Sequence, residues 1–177
     1  MKRFILTGAP GAGKTSLIEV LAAMGHSVVP EAATDVIASE SRRGNPEPWR
    51  SPEFIDNIIA LQRQRQLDGA RADSPAQFHD RAPVCTYALA TFLGFPPSEA
   101  LLREIDRIER EGVFHKRAFF IENLGFIEAT EARRISFEDA LAFESLHRET
   151  YQAFGYECVS IAPAPVSDRV RQILRSV

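Results

Sequence analysis

Gly8-Ala9-Pro10-Gly11-Ala12-Gly13-Lys14-Thr15 decides how this chain is read. It meets the pattern G-x-x-x-x-G-K-[ST] at every fixed position, and its flanks agree with it. Phe4-Ile5-Leu6 just upstream is a short unbroken apolar run, as expected of a strand buried on both faces. Downstream, Leu17, Ile18 and Leu21 share one face of a helix predicted from Lys14 to Met24, with Gly25 as its stop. Strand, glycine-rich turn and helix in that order form a phosphate cradle. The glycines let the backbone curl so that successive N–H groups point at phosphate oxygens, and the helix N-terminus adds its dipole. Gly8, Ala9, Pro10, Gly11, Ala12, Gly13, Lys14, Thr15 and Ser16 are therefore the candidate ATP-binding residues. Lys14 is placed to neutralise the β and γ phosphates, and Thr15 to offer its hydroxyl to Mg²⁺.

Outward from the cradle, short apolar runs alternate with helical patterns. Ser27 to Pro30 reads as a second strand, Gln77 to His79 as a third, Ala118 to Glu122 as a fourth and Glu157 to Ile161 as a fifth. Helices are predicted over Ala32–Ser41, Pro52–Ala70, Tyr87–Leu93, Ser98–Gly112, Ser136–Phe154 and Val166–Val177, with Gly44 to Pro52 as a loop. Ser51-Pro52 suits a helix start, and Ser136-Phe137-Glu138-Asp139 has the form of a capping box. Strands separated by helices argue for an α/β fold: a five-stranded parallel sheet with helices on both faces, in three layers. The expectation is one domain over residues 1–177.

Composition narrows the class. The chain has 177 residues, 45% hydrophobic and 25% charged, which is ordinary for a globular protein. Its net charge is −3 and its pI about 5.8, so no basic surface for nucleic acid or anionic lipid is expected. The two cysteines, Cys85 and Cys158, form no CxxC and no metal-ligand spacing, and they read as small buried hydrophobes. Met1 to Leu6 fails as a signal peptide because glycines interrupt the apolar run at once. The 17-residue uncharged stretch from Ala82 to Ser98 is too short to span a bilayer and reads as a buried helix. These features lead to the expectation of a reduced, cytoplasmic protein without membrane or nucleic-acid partners; the oligomeric state stays open.

The cradle names a ligand and not a reaction. The chain has no NKxD guanine reader, no LSGGQ signature and no room for the C-terminal helical domain of a ring ATPase. A small-molecule kinase fits this length. Phosphoryl transfer needs charge neutralisation at the γ-phosphate, a metal bridging β and γ oxygens, and an oriented acceptor. In a parallel sheet Gly8, Glu31 and Asp80 all emerge at the carboxyl edge, where open α/β folds bind ligands. Lys14 could supply the first requirement, Thr15 and Asp80 the second, and Glu31 could accept the acceptor's proton. Plainer readings stand beside these. Glu31 could be a helix-start acid, Asp80 a cap for the next helix, and Arg81, Arg133 and Arg134 solvated cations. Glu122-Asn123 reads as a turn on the functional edge, and His79 as a strand-end core residue. His26, His115 and His147 have no metal-like companions. Trp49 either lines an acceptor pocket or folds back into the core.

Three further stretches carry a resemblance. Val29-Pro30-Glu31-Ala32-Ala33 resembles the Glu-containing strand end of nicotinamide-riboside and deoxynucleoside kinases. His79-Asp80-Arg81 resembles the acid-Arg pair of nucleoside and thymidylate kinases, although Ala82-Pro83 stands where thymidylate kinases carry an aromatic. Glu128 to Ser136, with Arg133-Arg134, resembles their arginine-bearing lid. In layout the chain is similar to the small AAA-type ATPase/kinase domains of the nicotinamide-riboside-kinase-like group. The resemblance implies a P-loop NTPase fold of the nucleoside-monophosphate-kinase kind, with ATP and Mg²⁺. It also implies a small-molecule acceptor, a general base at Glu31, phosphate-side roles for Arg81, Arg133 and Arg134, and a lid over 125–136. The expected activity is transfer of the γ-phosphate of ATP to a nucleoside-like or other small acceptor. The alternatives are a nucleotide-dependent regulatory NTPase with slow hydrolysis and a switching lid, or an ATPase module acting on a macromolecule.

Overall fold

Five strands form one sheet in the order β2-β3-β1-β4-β5, and every pairing is parallel. The computed structural model describes residues 1–8, 10–69, 74–124 and 136–177. The strands are β1 (Lys2–Thr7), β2 (Ser27–Val29), β3 (Ala76–Asp80), β4 (Arg117–Ile121) and β5 (Glu157–Ile161). The helices are α1 (Lys14–Ala23), α2 (Ala33–Arg42), α3 (Glu53–Gly69), α4 (Pro83–Phe92), α5 (Glu99–Arg110), α6 (Phe137–Ala153) and α7 (Val166–Arg175), with a single 3-10 turn at Pro48–Arg50. Because β1 lies between β3 and β4, the chain leaves it toward one edge and later returns to fill the other. The crevice at such a reversal lies beyond the carboxyl ends of the strands, and the Gly8 turn opens into it. The register sets Leu6 against Asp80 and Thr7 against Phe120, so the ends of β1, β3 and β4 finish level.

The alternation along β1 sorts its side chains into two layers. Phe4 and Leu6 pack with Phe78, Phe119 and Ile121 against Leu17, Ile18 and Leu21 of α1 and Val170 and Ile173 of α7. Ile5 and Ala118 face the other way, onto Val84, Cys85, Ile108 and Tyr151 of α4, α5 and α6. A third cluster joins α2, α3 and α5 through Val36, Phe54, Ile55, Ile58, Ile59, Leu101 and Ile105. Truncating any one of these large aliphatic side chains to Ala would cost about 2–5 kcal/mol. The sheet is thus covered on both faces, as the unbroken apolar strands required.

Two local expectations are corrected. The helix expected at Tyr87 starts at Pro83, directly after Ala82 in extended conformation: proline occupies the first helical turn, where its missing N–H costs nothing. The stretch from Ala82 to Ser98 is therefore α4 followed by a connection and not one continuous helix. The loop from Gly44 to Pro52 also contains the 3-10 turn, which carries Trp49. The N-cap half of the expected capping box is present: Ser136 Oγ accepts from the Asp139 backbone N–H at 3.0 Å, and its hydroxyl donates to Asp139 Oδ2 at 2.7 Å. Among the described residues, no helix is long and apolar enough to cross a membrane.

Candidate active site

The cradle bends back on itself at three glycines with positive φ, Gly8 (124°), Gly11 (82°) and Gly13 (81°). Lys14, only 6% exposed, reaches back so that its Nζ donates to the Gly8 carbonyl at 3.0 Å. Burial, reinforced by Arg81 and opposed by Asp80 and Glu31, pulls its pKa down to about 7. Beneath the turn, Arg169 of α7 is 2% exposed, donates from Nη2 to the Ala12 carbonyl at 2.8 Å and leaves Nε unpartnered. No carboxylate is recorded against this guanidinium among the described residues.

Asp80 ends β3 and is buried beside the cradle. The Thr15 side chain hydrogen-bonds its carboxylate, while Oδ1 has no partner among the described residues. Burial pushes its pKa up, Glu31 adds to this, and Lys14 and Arg81 oppose it. An unpartnered buried carboxylate oxygen next to a hydroxyl at the mouth of a phosphate cradle fits a hard cation. No group of three or more His, Cys, Asp and Glu among the described residues could hold a metal by itself. That donor set matches Mg²⁺, which keeps waters and takes phosphate oxygens alongside one or two protein ligands. Asp80 does not cap α4, which has no side-chain cap.

Glu31 follows β2, and its two oxygens are both engaged. Oε1 accepts from Arg81 Nε at 2.6 Å and Oε2 from Thr34 Oγ1 at 2.7 Å. Burial raises its pKa, but Arg81, Lys14 and Thr34 together outweigh burial and hold the carboxyl below its usual range. Arg81 follows β3 at φ 73°, a left-handed conformation uncommon for a residue with a side chain; its N–H donates to the Leu6 carbonyl at 3.0 Å. Burial works against its charge, yet Glu31, Cys85 and Asp80 raise its pKa further. Its Nη1 meets His147 Nε2 at 3.2 Å.

These groups line a cavity of about 390 Å³. Trp49, Phe54, Ile58, Leu89, Phe92 and Phe143 supply its apolar walls, and Gln62 and Thr86 its polar side, with Thr86 Oγ1 donating to Gln62 Oε1 at 3.0 Å. Cys85 also lines it, its Sγ lying 3.2 Å from Thr7 Oγ1 and 3.0 Å from the Tyr151 hydroxyl.

The structure therefore brings Pro10, Gly11, Gly13, Lys14, Thr15, Ser16, Glu31, Asp80 and Arg81 around one cavity. Ala9, Arg133, Arg134 and nearly all of the 125–136 segment lie outside the described residues. Glu122 and Asn123 turn toward α6: Asn123 Nδ2 donates to Glu144 at 3.1 Å, and Glu122 lies 4.0 Å from Arg148. His79 is a core residue held by Gln77 at 2.9 Å. Trp49 lines the cavity and also packs against the third core cluster, so both of its alternatives are met in part. Arg169, Gln62 and Thr86 carry no signal in the sequence, and His147 reads there only as lacking metal-like companions. The cross-chain partners of these residues are between 24 and 157 residues away, so no spacing signals them.

The model of the AAA domain family matches residues 3–169. None of the curated proteins compared matches the sequence significantly. Among solved structures, deoxyadenosine kinase from M. mycoides with the products dCMP and a flexible dCDP bound superposes with a TM-score of 0.61 at 10% identity. That alignment covers 98% of this chain and 97% of the kinase. The same enzyme with bound dATP gives a TM-score of 0.51 at 12% identity, covering 99% and 98%. At such identities the likeness establishes the shared P-loop α/β fold.

Proposed function

We propose that this chain, which belongs to the AAA domain family, is a kinase that transfers the γ-phosphate of ATP to the hydroxyl of a small, nucleoside-like acceptor. The observation that carries the reading is the Glu31–Arg81 pair, set in the same cavity as Lys14, Asp80 and apolar, aromatic walls. The cavity of about 390 Å³ joins the phosphate loop to these aromatic walls, which supports an acceptor held beside the phosphates.

In this reading the loop N–H groups and Lys14 hold the β and γ phosphates, and Arg81 faces the oxygens of the transferred group. Thr15 and Asp80 would hold Mg²⁺, which would supply positive charge to the phosphates when bound with the nucleotide. The acceptor oxygen bonds to the γ-phosphorus as the bond to the β–γ bridging oxygen breaks, and ADP leaves. The acceptor's proton passes to Glu31. A carboxylate held below its usual range is ionised and ready but a weak base, so Glu31 chiefly aligns the hydroxyl and takes the proton late. That timing suits a loose transition state, in which the acceptor oxygen keeps its proton until bond formation is advanced. The aromatic walls would stack on a flat ring and exclude water, suppressing transfer to water in place of the acceptor.

The test is ADP release by the purified protein across a panel of nucleosides and related hydroxyl compounds, with Glu31→Gln in parallel. Stimulation by at least one acceptor, lost by roughly 10²–10⁴-fold in the variant, is expected. If no acceptor raises ADP release above the basal rate and Glu31→Gln behaves like the parent, the reading gives way to a regulatory NTPase.

A further inference from the structure

His147 plays no part in the mechanism above, yet it is a buried side chain of α6 in direct contact with Arg81. Its ring is fully buried and edge-on to Phe143, 4.1 Å between centroids at 72°. Nδ1 lies 2.9 Å from the Phe143 carbonyl oxygen, which can only accept, so Nδ1 carries the proton. Nε2 is left with a lone pair, and Arg81 Nη1 donates to it at 3.2 Å. One neutral imidazole therefore spans a backbone acceptor on α6 and a guanidinium donor beyond β3.

We propose that His147 is a positioning residue: by accepting from Nη1 it fixes the plane of the Arg81 guanidinium, so that Nε stays on Glu31 and Nη2 is kept for oxygens of the transferred phosphoryl group. This rests on the kinase reading. A guanidinium held by one bond can swing about it, whereas two anchors on different nitrogens define its plane. Glu31 supplies the first anchor at 2.6 Å and His147 the second, while Nη2 has no partner among the described residues. The φ of 73° at Arg81 makes the second anchor matter, because the strained backbone alone does not set where the side chain ends. A histidine suits the position because it donates on one side and accepts on the other within a rigid ring. Glutamine can do the same with its amide; leucine cannot. Burial, then the charge of Arg81, keeps the imidazole neutral against the opposing hydrogen bond to the Phe143 carbonyl, and Lys14 adds a smaller push in the same direction as burial.

The experiment compares parent, His147→Leu and His147→Gln, each with a non-hydrolysable ATP analogue and Mg²⁺. Solvent exchange of the Arg81 Nε–H, followed by NMR, is the direct readout. The expectation is slow exchange in the parent, fast exchange in His147→Leu and slow exchange again in His147→Gln. In turnover, kcat for phosphoryl transfer falls roughly 10–100-fold in His147→Leu with KM for ATP within about threefold, and recovers in His147→Gln. Equal protection of the Arg81 Nε–H in His147→Leu and parent overturns the proposal, as does an unchanged kcat. Should His147→Leu not fold, the parent still decides: imidazole ¹⁵N shifts between about pH 6 and 8 must show Nε2 unprotonated. A protonated Nε2 there overturns the proposal. If the parent phosphorylates no acceptor, the kinase reading falls on its own, and the Arg81 signal still judges the role of His147.

Discussion

A Cβ built on Gly8 would stand 2.2 Å from the carbonyl oxygen of Ile121. Gly8 directly follows β1 and Ile121 ends its neighbour β4, and the offending atom is backbone, which cannot turn aside. Gly8 also has a φ of 124°, outside the regions open to residues with side chains. Gly8→Ala is therefore expected to destabilise the protein by about 2–4 kcal/mol and to weaken ATP binding with it. A urea midpoint equal to that of the parent would contradict this.

Lys14 makes the stability of the ligand-free protein depend on pH. Between about pH 7 and its ordinary value of 10.5 the unfolded chain keeps the Lys14 proton and the folded protein has lost it. The unfolded state binds more protons, so stability rises as pH rises through that window and is flat with respect to this group below it. The contribution is on the order of a few kcal/mol. Lys14→Met should lack that part of the slope, measured as the variant-minus-parent difference in chemical denaturation. Bound phosphates restore the charge, so ATP binding at about pH 8 should take up a proton, seen as a buffer-dependent heat in calorimetry. The same heat in Lys14→Met would remove Lys14 from this account.

Asp80→Asn separates metal binding from folding. The buried carboxylate is costly to ionise, so the neutral amide should leave the melting temperature equal or higher. The Mg²⁺ concentration for half-maximal ATP turnover should rise by roughly 10–100-fold. A superimposable Mg²⁺ titration would move the metal to Thr15 and the phosphates alone.

Arg169 is a buried cation under the cradle whose recorded protein bond is to the neutral Ala12 carbonyl. Arg169→Met keeps the apolar stem and removes the charge, so the ligand-free protein should be as stable as the parent or more so. ATP affinity should fall by up to about tenfold, because a cation close behind the phosphates is gone. Thermal melts with and without ATP give both values. Lower stability with unchanged affinity would make Arg169 a tether for the cradle and nothing more.

The strands and their order of appearance were legible because parallel strands buried on both faces leave continuous apolar runs such as Phe4-Ile5-Leu6 and Ala118 to Ile121. The convergence of Gly8, Glu31 and Asp80 followed from topology alone. The start of α4, four residues ahead of the expected Tyr87, was not legible, because a proline ahead of an apolar stretch does not by itself tell a break from a first helical turn. The direct bond between Glu31 and Arg81, 50 residues apart, was out of reach: topology gives a shared edge and not which side chains meet across it. His147 was harder still, since its value lies in a tautomer fixed by Phe143 and an acceptor turned toward Arg81. Neither leaves a pattern in composition or spacing.

Trp49 is the chain's single tryptophan, and it lines the cavity proposed to take the acceptor. Its emission is a built-in optical reporter on that chamber. A flat ring entering beside the indole would quench or shift the signal, whereas nucleotide settling in the cradle would leave it closer to the empty state. Titrating ATP and candidate acceptors separately against this one fluorophore therefore resolves the two halves of the site without a label and without turnover. It also lets an acceptor be recognised by its occupancy before any product is sought.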